Sequence, residues 1–153
     1  MIFNPPFIIR PASAADHGQI AEVWHSSASL PTVGPPTMPT LEDLRRRVDI
    51  EFSAGWDVTV AARNSEIIGF VAVTPPEAVL SELFVRPDSL GAGIGRALLQ
   101  HAMLAMPSGF TLFTRSGNIK ARRFYEKAGL TFLRDDLHPR NRDPVTHYGW
   151  IPA

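Results

Sequence analysis

The stretch Ser81–Leu99 constrains this chain more than any other, because it changes character twice in quick succession. Ser81-Glu82-Leu83-Phe84-Val85 completes a β-prone run over Val79–Val85, and Arg86-Pro87-Asp88 turns it. Leu90-Gly91-Ala92-Gly93-Ile94-Gly95 follows, and Ile94, Ala97, Leu98, His101 and Leu104 then fall at helical spacing until Pro107-Ser108-Gly109. A strand, a glycine turn and a helix (Arg96–Leu104) in this order set a helix N-terminus beside the end of a strand. Alternating glycines permit conformations that a Cβ forbids and allow close approach to the main chain. The first N–H groups of a helix are unpaired donors at the positive end of its dipole, so such a turn can seat a phosphate. A ligand-free flexible connection is the plain alternative.

Two other glycine-loop chemistries fail on spacing. The dinucleotide pattern Gly-x-Gly-x-x-Gly would need a third glycine at Arg96, counting from Gly91, or at Leu98, counting from Gly93. No Gly-x-x-x-x-Gly-Lys-Ser/Thr run exists.

The remaining chain supplies a sheet and helices for this unit. Phe7-Ile8-Ile9 reads as a short strand, and Ser13 and Asp16 can cap a helix from about Ala15 to Ala28. Leu30–Thr40 carries Pro31, Gly34, Pro35, Pro36 and Pro39, which excludes regular structure and predicts a shaped loop. Thr40 caps a second helix bearing Leu41, Leu44, Val48 and Phe52, ended by Gly55. Trp56–Ala62, Ile67–Thr74 and Val79–Val85, joined by short turns, predict an antiparallel meander. Phe110–Thr114 is a strand, Asn118 to Gly129 brackets a helix, and Leu130–Leu133 and Val145–Ile151 are strands. The order β-α-α-β-β-β-α-β-α-β-β is of the α/β (α+β) class, and no repeat or linker divides residues 1–153, so one domain is expected.

Composition removes several functions. Fifteen Lys plus Arg balance fifteen Asp plus Glu, so no overall field recruits nucleic acid or an anionic membrane. There is no cysteine, which excludes disulfides, thiolate metal sites and a cysteine nucleophile. The histidines His17, His25, His101, His138 and His147 lack ligand spacing, so no metal is expected. Arg45-Arg46-Arg47 is offset by Glu42, Asp43, Asp49 and Glu51 at helical spacing and reads as a solvated face. Met1–Arg10 lacks the basic start and long apolar run of a leader, and no stretch approaches the roughly 18 apolar residues of a membrane span. A soluble, cytoplasmic protein without membrane or nucleic-acid partners is expected, with a homodimer left open.

Leu83–Leu99 resembles motif A of the GCN5-related N-acetyltransferase (GNAT) superfamily, whose Arg/Gln-x-x-Gly-x-Gly/Ala signature falls on Leu90–Gly95. Asn118-Ile119-Lys120-Ala121-Arg122-Arg123-Phe124-Tyr125-Glu126-Lys127-Ala128-Gly129-Leu130 is similar to its motif B, and Ile9 through Trp24 to its first strand and helix. The resemblance implies a mixed, mostly antiparallel sheet, splayed near its centre and flanked by about four helices. It also implies acetyl-CoA as co-substrate and a primary amine, on a small molecule or a peptide, as acceptor. The implied cofactor site comprises Leu83, Phe84, Val85, Leu90, Gly91, Ala92, Gly93, Ile94, Gly95, Arg96, Asn118, Phe124 and Tyr125. Leu83–Val85 would pair its free backbone groups with the pantetheine arm, the Val85 N–H would polarise the thioester carbonyl, and Tyr125 would protonate the sulfur. Asn118 could contact the arm, cap its helix, or both.

Leu90 stands where the family usually has Arg or Gln, and Ala92 where a basic residue is common. Backbone N–H groups must then carry more of the phosphate binding, with Arg96, Arg86, Arg122 or Arg123 as candidate charges. A non-catalytic acyl-CoA-binding regulatory module is the alternative these departures suggest.

Amine transfer also needs a group to accept the amine proton. Glu82, alternating with Leu83 beside the expected thioester, is the candidate base, ahead of Glu77, Asp57, Asp135, Asp136 and His147. The acceptor would be gripped by Leu30–Thr40, the second helix and the tail Arg134–Tyr148, with Asp135 and Asp136 drawing a cation.

Overall fold

A computed structural model of the chain describes residues 6–152. The domain expected over residues 1–153, and the N-terminal run read for a leader, extend into residues 1–5 and 153, outside the described residues. The elements are β1 (Ile8–Pro11), α1 (His17–Ala28), α2 (Leu41–Ser53), β2 (Asp57–Arg63), β3 (Glu66–Thr74), β4 (Val79–Val85), α3 (Ile94–Ala105), β5 (Phe110–Arg115), α4 (Ile119–Lys127), β6 (Thr131–Leu137) and β7 (Pro144–Trp150). Strands and helices follow one another in the expected order.

The strands form one seven-stranded sheet in the order β1-β2-β3-β4-β5-β7-β6. Every neighbouring pair is antiparallel except β4 and β5. Between β2 and β3 the turn residues Asn64 and Ser65 both have positive φ, +51° and +69°, the twist that a two-residue hairpin needs. β4 and β5 share a single register pair, Val79 with Thr111, sealed by the Thr111 N–H donating to the Ala78 carbonyl at 3.0 Å. Beyond that point the two strands part, as the resemblance implied.

Helices cover both faces. α1 and α2 bury Ile20, Trp24, Leu44 and Val48 against Val58, Val60 and Phe70, while α3 buries Ile94, Leu98 and Leu99 against Ile68, Val71 and Leu80 on the other face. Alternation along β2 and β3 feeds both cores, which is why these strands are almost wholly buried. Among the described residues no helix is long and apolar enough to cross a membrane.

Several boundaries differ from expectation, most by one or two residues, and three of the differences have a local cause. β1 reaches Pro11, tolerated because β1 is an edge strand paired only with β2. A 3₁₀ turn over Ala14–Asp16 precedes α1, and the Asp16 carboxylate accepts from the Ser13 N–H at 2.8 Å. β6 runs to Leu137 rather than Leu133, because β7 offers partners: Asp135 lies opposite Thr146 and accepts its Oγ1–H at 2.7 Å.

Candidate active site

The parting of β4 from β5 opens a cleft of about 500 Å³ between Leu80–Phe84 on one side and Leu112–Arg115 on the other. Its chemistry follows from strand alternation. The Arg86 N–H donates to the Ile68 carbonyl at 2.8 Å, so the Val85 backbone faces away from β3, toward the gap. The Val85 carbonyl accepts from the Ser27 Oγ–H at 2.9 Å, which fixes that end of β4 to α1. The side chain of Leu83 packs toward α3 and α4, whereas Phe84 packs toward α1 and α2, 6.4 Å from the Trp24 ring and stacked with it. Glu82, two residues before Phe84, shares its face.

Glu82 and Tyr125 approach this gap from opposite faces of the sheet. Tyr125 is only 7% exposed, packed in the α3 and α4 core with its ring 6.2 Å from Tyr148, and it also lines the cleft. Neither its hydroxyl nor the Glu82 carboxylate has a hydrogen-bond partner among the described residues. Burial pushes the half-buried Glu82 carboxyl up to about 8, opposed by Arg47 and reinforced by Glu51. Burial likewise raises Tyr125, and the Glu82 charge raises it further, so the two groups sense one another across the gap. A carboxyl of this kind can take a proton once it is ionised, toward about pH 8, and a protonated phenol can give one.

Asn118 lines the same cleft and takes the capping role while remaining able to take the other. Its side-chain oxygen accepts from the Ala121 N–H at 3.2 Å, capping α4, and its amide N–H groups have no partner among the described residues.

The glycine loop lies beyond the cleft, past the end of β4. Gly91 and Gly93 have φ of +86° and +79°, and a Cβ at either would meet nothing within 4 Å. The loop is therefore open on the side a ligand would use, and Gly93 hands over directly to the first turn of α3. A Cβ at Gly95 would stand 3.4 Å from the Phe124 ring and 3.8 Å from a Val85 methyl, so Phe124 packs beside the start of α3, its ring 5.3 Å from that of Tyr125. Leu90 is 52% exposed, and Ala92 is exposed beside it, neither offering a charge. Two of the four arginines considered for phosphate are engaged elsewhere. Arg86 pairs with Glu66 and with Asp88 at 3.1 Å, and Arg122 bonds the Tyr148 hydroxyl and the Ser116 carbonyl, each at 3.1 Å. Arg96 and Arg123 are exposed and have no ion pair among the described residues. These features fit a coenzyme-A pyrophosphate at the loop and a pantetheine arm along β4.

The proline-rich segment, α2 and the β6–β7 connection all reach the cleft, through Pro35, Met38, Leu44 and His138–Asn141. Asp135 and Asp136 do not. Asp135 is bonded to Thr146, and Asp136 to the Leu137 N–H, with Arg134 at 3.6 Å and His147 at 3.9 Å, so neither is positioned to draw a cation into the cleft. Glu77 and Asp57 lie outside the cleft as well. Arg47 shows more than the solvated face read from its run. It sits 3.6 Å from Glu51, with its guanidinium 5.7 Å from the Trp24 ring centroid, and it lines the cleft. Its position beside Leu44 and Val48, the buried stripe of α2, was the available signal. His138 and Arg140 carried no sequence signal, because the β6–β7 loop that presents them matches no pattern, and Arg115, at the end of β5, carried none either.

Comparison with known proteins gives a concordant result. A family model for an acetyltransferase (GNAT) domain matches residues 54–130. The 5-NmdU N-acetyltransferase of Pseudomonas phage PaMx11 is 28% identical over 135 residues, covering 85% of this chain and 91% of that protein. An acetyltransferase structure from Thermus thermophilus superposes with a TM-score of 0.75 at 22% identity, over 95% of this chain and 96% of that one. The structure of yncA from Salmonella typhimurium, which holds acetyl-CoA, superposes at 0.73 with 16% identity, over 96% and 94%. At these identities the structural likenesses are likenesses of fold.

Proposed function

Because the chain belongs to the GNAT acetyltransferase family, we propose that it transfers the acetyl group of acetyl-CoA to a primary amine by direct attack, without a covalent enzyme intermediate. The acceptor is a small-molecule or peptide amine. The observation that carries this reading is the pair Glu82 and Tyr125, unpartnered among the described residues and electrostatically linked where β4 leaves β5.

Acetyl-CoA supplies an acyl group already activated as a thioester. The residues of this chain do the rest. The loop Gly91–Gly95 and the first turn of α3 hold the pyrophosphate, with Arg96 and Arg123 adding charge. Leu83 and Val85 offer backbone groups to the arm, and the Val85 N–H donates to the carbonyl oxygen as it gains charge. Glu82 accepts the proton that the amine loses on bonding to the acetyl carbon. Tyr125 gives its proton to the sulfur as the carbon–sulfur bond breaks, and solvent exchange restores both groups. Asn118 steadies α4 and donates to the arm.

The test incubates purified protein with acetyl-CoA and a broad amine panel and follows free thiol. Tyr125→Phe should lose roughly a hundredfold in rate while binding acetyl-CoA as before. An unchanged rate would sink the role given to Tyr125. Binding of acetyl-CoA without turnover on any amine would instead favour an acyl-CoA-binding regulatory module.

A further inference from the structure

The charged groups that face the cleft are unequal in sign. Arg47, Arg115, Arg140 and His138 line it, against one carboxylate, Glu82. Arg115 is offset by Asp143 at 2.7 Å, with both side chains largely shielded. Arg47 is partly offset by Glu51 at 3.6 Å and lies over Trp24. Arg140 has no side-chain hydrogen bond or ion pair among the described residues, although it is an exposed residue that lines the cleft.

These cations converge. His138 sits where burial, then Arg115 and Arg140, and more weakly Arg47, all act to hold its imidazole neutral, against a single opposing carboxylate, Asp143. Its Nδ1 accepts from the backbone N–H groups of Arg140 at 3.1 Å and Asn141 at 3.4 Å, so the proton of the neutral ring is on Nε2. One more donor is therefore added to a cationic corner. Glu82 is the one carboxylate among the described residues that line the cleft, so the balance of charge along its wall is positive.

We propose that the acceptor is a primary amine bearing an oxyanion, a carboxylate or a phosphate, which Arg140 and Arg47 bind while the amine reaches Glu82. The inference rests on the transferase reading above and narrows it. Trp24, Phe84 and Met38 supply apolar walls for the body of the molecule. A polycationic acceptor is disfavoured twice: the arginines repel its further charges, and Asp135 and Asp136, which could have received them, lie outside the cleft.

The test compares acceptors with and without their anionic groups, using the whole protein with acetyl-CoA and following thiol release. Glutamate is set against glutamine α-amide, phosphoethanolamine against ethanolamine, and spermidine stands as the polycation. The anionic member of at least one pair should have a kcat/KM higher by about tenfold or more, the value of one partly shielded ion pair. The pair with the larger gap identifies carboxylate or phosphate. Arg140→Glu lies in an exposed loop and leaves both cores intact; it should reverse the preference, chiefly through KM for the anionic member. If ethanolamine, the amide and spermidine are acetylated as well as their anionic counterparts, the inference is overturned while the transferase reading stands. If no amine releases thiol, both fall together.

Discussion

Glu82 combines a functional and a thermodynamic consequence in one side chain. Its carboxyl titrates at about 8 in the folded protein, against an ordinary value of 4.5, because the cleft strips water from the ionised form. As the base it works only when ionised, so kcat/KM should rise with pH through about 8, and Glu82→Gln should lose roughly a hundredfold in rate and flatten that rise. A parent profile already level from about pH 6 to 9 would remove Glu82 from the mechanism. The same shift bears on stability. Between about pH 4.5 and 8 the folded state holds a proton that the unfolded state has lost, so the contribution of Glu82 is fully present below the ordinary value and disappears as pH rises through about 8. The melting temperature of the parent should therefore fall more between about pH 6 and 9 than that of Glu82→Gln. Asp16 behaves in the opposite sense. The Arg10 guanidinium, bonded to it at 2.8 and 3.0 Å, holds its carboxyl down at about 2, so its contribution is present above the ordinary 3.8 and vanishes as pH falls through about 2. Asp16→Asn should cost roughly 1–3 kcal/mol near pH 7, read from urea denaturation, and much less at about pH 2. Of these residues, Glu82 and Tyr125 were named from the sequence through its resemblance to the family's motifs, and the fold brings both to the cleft. The unusual pKa of Glu82 was not legible, since it arises from desolvation by residues distant in the chain.

At the scale of elements, α4 shows how a short helix is kept in position. It has nine residues, too few to persist alone in water, so tertiary ties must set its place. The Tyr148 hydroxyl supplies them from β7: it donates to Glu126 Oε2 at 2.5 Å and accepts from Arg122 Nε at 3.1 Å, gripping the helix on both sides of Tyr125. Tyr148 is fully buried, so Tyr148→Phe removes both bonds while keeping the packing of the ring. We expect a loss of about 1–2 kcal/mol in stability and a several-fold fall in kcat, with acetyl-CoA affinity unchanged. A kcat equal to that of the parent would assign the network to stability alone. Helices and strands themselves were largely legible, because their apolar periods of about 3.6 and 2 match real buried faces. The far half of β6 was not, because Asp135 and Asp136 are poor strand formers; β7 overrides that preference by offering backbone partners and the Thr146 hydroxyl.

Across the whole molecule, the sheet works as a partition with one opening. The glycine loop and Tyr125 belong to the α3 and α4 side, Trp24, Arg47 and the proline-rich segment to the α1 and α2 side, and the parting of β4 from β5 beyond their single register pair opens a cleft between the two. On the α3 and α4 side two motifs were legible through their resemblance to the family's, the first of them with glycines where the loop takes positive φ at Gly91 and Gly93. The acceptor side was legible only as a region, because its arginines come from separate elements and meet through the fold. The partition predicts that acetyl-CoA adds its binding energy to the stability of the folded state: at about a hundred times Kd the gain is about 2.7 kcal/mol, a rise of a few degrees in Tm. Gly93→Val tests where that energy enters. Gly93 has φ of +79° with free space beyond it, so valine there strains the turn, by roughly 1–3 kcal/mol, and projects into the space left for phosphate. The variant should melt somewhat lower than the parent without ligand, and it should show neither the ligand-induced rise in Tm nor calorimetric binding. Acetyl-CoA affinity that survives this substitution would mean that the pyrophosphate is held elsewhere than at the N-terminus of α3.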